Sequence, residues 1–170
     1  MFATLSRVCA AVAISLSPMF AMAGDLATPQ NAVILEVSGA IANTNDGDKA
    51  VFDLDMLMAL GSETIETTTI WTEGEQSFTG VRLGDLMAAI GASEGAIKAT
   101  AINDYSVEIP FDDAAEMTAL VAYHRNGETM SVRDKGPLWI VYNYDSDARF
   151  QSEVYYSRSI WQLNRIEVQP

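Results

Sequence analysis

Apolar positions recur with a period of two over many short stretches of this chain and at helical spacing over only two, a pattern that predicts a sheet-rich domain with few helices. Residues 32–37, 64–72, 77–81, 97–102, 106–109, 120–125, 129–132, 138–142 and 166–168 read as strands. The run 138–142 is apolar throughout, as suits a strand buried on both faces. Residues 53–60 carry apolar side chains at 54, 57, 58 and 60 and stop at Gly61, which predicts a short helix. Leu83, Leu86, Met87 and Ile90 repeat at helical spacing and end at Gly91, predicting a second. Asn126-Gly127 between two strand patterns is the strongest hairpin signal, and Glu73-Gly74-Glu75-Gln76 marks another reversal. The two helices look alike, but nothing around them repeats, so the chain is not a duplication. Short strands with few helices make this an α+β class domain built on a compact mixed β-sheet.

Residues 1–23 depart from this pattern. Arg7 is their only charge, an apolar run follows, and Ala21-Met22-Ala23 offers a small-residue cleavage site, so they read as a signal peptide. Ser15, Ser17 and Pro18 interrupt a run already too short to span a bilayer. The expected product is a single domain over residues 24–170, exported to the periplasm and not inserted in the membrane. No Arg-Arg pair is present in the leader, which points to export of an unfolded chain.

Charge narrows the partners. The 170 residues hold 10 basic and 23 acidic side chains, and loss of Arg7 leaves nine basic against 23 acidic, a net charge of −14. Nucleic acid and anionic membrane surfaces are repelled by such a chain. Arg125, Arg133, Lys135, Arg149, Arg158 and Arg165 lie in the last third, where an anionic or carbonyl-rich ligand would be met.

Several chemistries are missing. Cys9, the only cysteine, leaves with the signal, so the mature chain has no disulfide, thiolate ligand or cysteine nucleophile. His124 is the only histidine; it cannot assemble an ordinary zinc or copper site, and a serine nucleophile lacks its usual base. It reads as a sheet or surface residue. Residues 43–48 are turn chemistry, without the ligand spacing of a calcium loop.

What remains is a set of aromatic and polar clusters, each with a structural explanation beside the functional one. Trp71 closes a strand pattern and suits either a cleft wall or a core. Asp104 and Tyr105 sit where a strand breaks and resumes, placing a carboxylate and a phenol on a loop held by rigid neighbours. Ser131, Arg133 and Lys135 share a loop that ends in Gly136-Pro137; the cations there also suit plain pairing with Asp134. Tyr156, Arg158 and Trp161 bring rings around an arginine, an arrangement fitted to holding a flat heterocycle or to core packing.

Five motifs in order, TIWTEG, FTGVRLGDLM, NDYSVEIP, SVRDKGPLWIVY and SRSIWQLNRIEV, resemble the small exported proteins of the oxidoreductase molybdopterin-binding superfamily. The resemblance runs from about Val33 to Val168. It implies the sulfite-oxidase fold, a compact mixed α+β domain with a pterin cleft on one face. Catalytic members hold molybdenum through a cysteine thiolate, which this chain lacks, so a molybdenum cofactor and metal-dependent catalysis are not expected. The resemblance implies instead a pterin-binding periplasmic protein that reports to a membrane-bound receptor of cyclic di-GMP or kinase type. The alternatives are a molybdopterin-dependent oxidoreductase subunit and a protein-interaction module with a vestigial pocket. Trp71, Asp104, Tyr105, Ser131, Arg133, Lys135, Tyr156, Arg158 and Trp161 are the expected ligand-binding residues, with Asp104 accepting from the pterin amidine edge and Arg133 or Arg158 donating to its carbonyl.

Overall fold

The computed structural model describes residues 26–170; the signal peptide expected over residues 1–23 lies outside them. Period-two patterning builds ten strands: β1 (Leu35–Gly39), β2 (Ala50–Phe52), β3 (Glu63–Thr68), β4 (Glu75–Arg82), β5 (Ala96–Ala101), β6 (Ser106–Pro110), β7 (Ala119–Arg125), β8 (Glu128–Thr129), β9 (Leu138–Tyr142) and β10 (Trp161–Gln169). Four short helices join them: α1 (Leu54–Leu60), α2 (Leu83–Ala89), α3 (Phe111–Ala115) and α4 (Glu153–Arg158). This is the expected mixed, sheet-dominated α+β domain. Among the described residues no helix is long and apolar enough to cross a membrane.

The strands form one sheet in the order β2-β1-β10-β9-β7-β4-β3, with β5 and β6 branching from β10 and β8 paired to β7. β10 is the branch point. Its first residues pair antiparallel with β9, and Leu163 already faces both Leu138 of β9 and Ala101 of β5. Beyond an irregularity at Asn164, β10 runs between β5, antiparallel, and β1, parallel.

Both faces of the sheet are covered around β7 and β9, which explains their unbroken apolar sequences. Val121, Tyr123, Ile140 and Tyr142 point into the main core with Leu83, Leu86 and Met87 of α2, while Leu120, Ala122, Trp139 and Val141 pack with Ile65 and Phe78 in a second core. The Asn126-Gly127 hairpin is present: both residues take positive φ, 54° and 83°, as a two-residue turn of matching twist requires.

Two departures from the sequence pattern have local causes. The strand expected over 64–72 stops at Thr68, because the Thr69 hydroxyl accepts the Trp71 N–H at 3.1 Å and bonds the Thr72 hydroxyl at 2.7 Å, turning the chain. The strand expected over 129–132 ends at Thr129, since Met130 turns inward and the Ser131 side chain caps a tight turn over Val132–Asp134. β2, α3 and α4 are too short to show a period.

Asp53 ties Gln30 and Asn31 to α1. Its carboxylate accepts the Met56 N–H at 2.9 Å, capping the helix, and those of Gln30 and Asn31 at 2.8 and 2.9 Å. The Met56 N–H above all holds this carboxyl below its ordinary 3.8, against the opposing effect of burial, with Asn31 and Gln30 adding to the shift. A lowered carboxylate pKa contributes stability that is complete above the ordinary value and is lost as pH falls through the folded one. Asp53→Asn is therefore expected to lower the urea midpoint at neutral pH, with the gap from the parent protein narrowing below 3.8. A gap unchanged in acid would contradict this.

Gly80 lies where β4 crosses an irregularity against β7. A β-carbon there would sit 2.2 Å from the Val121 carbonyl oxygen and 2.6 Å from Ala122 Cα, both backbone atoms that cannot rotate away. Gly80→Ala is expected to destabilise by about 3 kcal/mol, read from urea unfolding.

Candidate functional site

The branching of β10 leaves a cleft where its first residues, α4, the β5–β6 turn and the loop after β3 come together. Its volume is about 340 Å³, and its lining includes Trp71, Asn103, Tyr105, Tyr156, Ser157, Ser159, Trp161 and Gln162. Trp71 is the hub. Its ring meets those of Trp139 at 5.9 Å, Tyr156 at 5.7 Å, Trp161 at 5.7 Å and Tyr144 at 6.2 Å, each edge to face. Edge-to-face packing of this kind fixes ring planes as well as positions. Trp71 also packs against both cores, so its orientation is set by the whole sheet.

Beneath the cleft floor a buried polar network holds α4 to the sheet. The Tyr144 and Ser159 hydroxyls bond at 2.6 Å, Ser159 Oγ donates to the Tyr155 carbonyl at 2.7 Å, and Trp139 Nε1 donates to the Ser159 carbonyl at 3.3 Å. Burial pushes the Tyr144 phenol well above its ordinary value, so it stays protonated. On the far side of α4, Arg158 donates to the Asp113 carboxylate at 3.1 Å and stacks over Tyr155, and Asp113 also accepts from the Tyr142 hydroxyl at 2.7 Å. Burial, followed by the Asp113 charge and hydrogen bond, raises the Tyr142 phenol strongly, and it too is a fixed donor.

The structure brings four of the nine expected site residues into the cleft wall: Trp71, Tyr105, Tyr156 and Trp161. Lys135 stands behind the wall, its Nζ 4.6 Å from the Trp161 ring centre and 5.7 Å from that of Trp139. The other four are placed elsewhere. Asp104, at φ 67°, points to the solvent-facing side of β1, β10 and β5, where Arg165 donates to it at 2.5 Å. Arg158 is spent on Asp113. Ser131 caps its own turn and bonds Asp134 Oδ2 at 2.6 Å, and Arg133 is exposed on that turn and absent from the cleft lining. Apart from the phenols, the polar lining residues are instead Asn103, Ser157, Ser159 and Gln162, neutral side chains beside the ones expected. All of them belong to motifs already marked, but the sequence carries no sign of which neighbour turns inward.

Residues 36–168 match the family model described as the oxidoreductase molybdopterin binding domain. The chain belongs to that family. The molybdopterin-binding domain is similar in fold to the sulfane dehydrogenase SoxCD of Paracoccus pantotrophus, with a TM-score of 0.56 and 15% sequence identity. The likeness covers 79% of this chain but 37% of that one, so this domain spans little more than a third of that chain. A search of the curated proteins finds no match.

The Arg158 and Asp113 side chains are 20% and 8% exposed. Removing one partner of such a pair strands the other's charge. Arg158→Ala is expected to destabilise by about 3 kcal/mol, whereas Arg133→Ala changes stability by less than about 0.5 kcal/mol. Thermal unfolding of both variants checks the contrast.

Proposed function

We propose that this member of the molybdopterin-binding family binds a pterin ring without a thiolate-anchored metal. One observation carries the reading: the cleft is walled by the rings of Trp71, Tyr156 and Trp161, with an exposed Tyr105 at its mouth and neutral amides at its edge. A flat, polar-edged heterocycle is the ligand such walls suit, since ring faces stack and amides pair with its lactam and amino groups. The volume is in the usual range for a small-molecule site.

The donor set does not fit the metal of the family's name. Residues 26–170 contain no cysteine. Among the described residues no group of three or more His, Cys, Asp or Glu side chains is placed to hold a metal ion. The second reading, a molybdenum-dependent oxidoreductase subunit, is favoured by the family's description; elemental analysis of protein isolated from its native compartment separates the two, with stoichiometric molybdenum supporting the latter.

Export through the signal at residues 1–23 belongs to the same proposal. So does transmission of ligand occupancy to the outward-facing domain of a membrane receptor. What supports the latter is apolar surface at the cleft loops, where Ile70, Ile102 and Tyr105 are 62%, 44% and 58% exposed.

Titration calorimetry with an unconjugated pterin tests the ring site. Trp161→Ala, which removes a half-exposed wall, is expected to weaken binding by about tenfold or more, equivalent to about 1.4 kcal/mol. Asp104→Ala is expected to leave affinity unchanged, because its carboxylate faces Arg165 and not the cleft. No binding by the parent protein, or equal binding by the Trp161 variant, would remove the proposal.

A further inference from the structure

We infer that the cleft selects an uncharged ring and rejects one that carries an anionic group on the ring itself. The inference deepens the pterin reading and rests on it. None of Trp71, Asn103, Tyr105, Tyr156, Ser157 or Gln162 supplies a positive charge. No cation is among the lining residues, and three that lie near the cleft have partners within the protein. Arg158 is held by Asp113 at 3.1 Å and Arg165 by Asp104 at 2.5 Å, with Arg165 also donating to the Ala101 carbonyl at 3.3 Å. Lys135 lies over the Trp161 and Trp139 rings, and its backbone is pinned where its carbonyl accepts the Gln162 N–H at 2.9 Å.

An anion entering this space finds amides and ring edges but no counter-charge, and it does so in a chain of formal net charge −13. Burying an unpaired charge is costly, and the field of the whole molecule adds to that cost. A neutral ring meets no such opposition. Asn103 Oδ1 accepts the Tyr105 N–H at 3.2 Å and Gln162 Nε2 donates to the Val132 carbonyl at 2.7 Å, which leaves the Asn103 amide nitrogen and the Gln162 amide oxygen for the ligand's own acceptor and donor. One amide of each polarity at the rim matches a lactam edge and does not match a carboxylate or a phosphate, which only accept.

The test compares two pterins that differ at one ring position, one bearing a hydroxymethyl group and one a carboxylate, titrated into the full mature chain at low and high salt. The hydroxymethyl compound is expected to bind at least about tenfold more tightly, with an affinity that salt does not change. Ser157→Lys places a cation on an exposed position of the wall and is expected to raise carboxylate affinity about fivefold, in a manner that salt removes. Equal or tighter binding of the carboxylate to the parent chain overturns this inference and leaves the pterin reading intact. So does a Ser157→Lys variant with unaltered carboxylate affinity. Binding of neither compound overturns the pterin reading and this inference with it.

Discussion

β10 has to satisfy three neighbouring strands at once, and the rest of the molecule follows from how it does so. A strand has two hydrogen-bonding edges, so a third partner requires the first to leave before the next arrives. β9 occupies one edge of the first residues and leaves after Leu163, β1 takes that edge from Arg165 onward, and β5 holds the opposite edge from Leu163 on. The exchange falls at Asn164, next to Gln162 with its positive φ of 55°. Asn164 Oδ1 is buried there without a hydrogen-bond partner among the described residues. Where the two halves of the sheet diverge, the backbone cannot fill the gap, and side chains from α4, the β5–β6 turn and the loop after β3 surround it. The cleft is the space left by that divergence.

Trp71 and the buried Tyr144–Ser159–Trp139 network keep the space open. Rings packed edge to face against one another resist collapse, because closing the cleft would force them out of their preferred contacts. The phenols of Tyr142 and Tyr144 are held protonated by burial, so both act as fixed donors that anchor α4 to the sheet and to α3. The buried phenols and Arg158 beside the cleft are already committed to partners within the protein.

The family is described by a molybdopterin-binding oxidoreductase domain, and the fold agrees. The residues at the cleft offer stacking and neutral hydrogen bonds, with the neighbouring cations held by Asp113, Asp104 and two tryptophan rings.

Sequence alone determined the class of the domain, both longer helices, the Asn126-Gly127 hairpin and the buried strand β9, because each rests on local periodicity or on a turn that few residues can make. It also marked the segments that meet at the cleft, through their aromatic residues and the five ordered motifs. Tertiary structure alone decided which member of each segment faces inward. Asp104 and Arg158 look like ligand groups in the sequence, yet each is claimed by a partner 61 or 45 residues away, while the unremarkable Asn103 and Gln162 take the cleft edge. The reason is physical: a charge is positioned by whatever opposite charge the fold brings to it, and no local pattern in the chain encodes that distance.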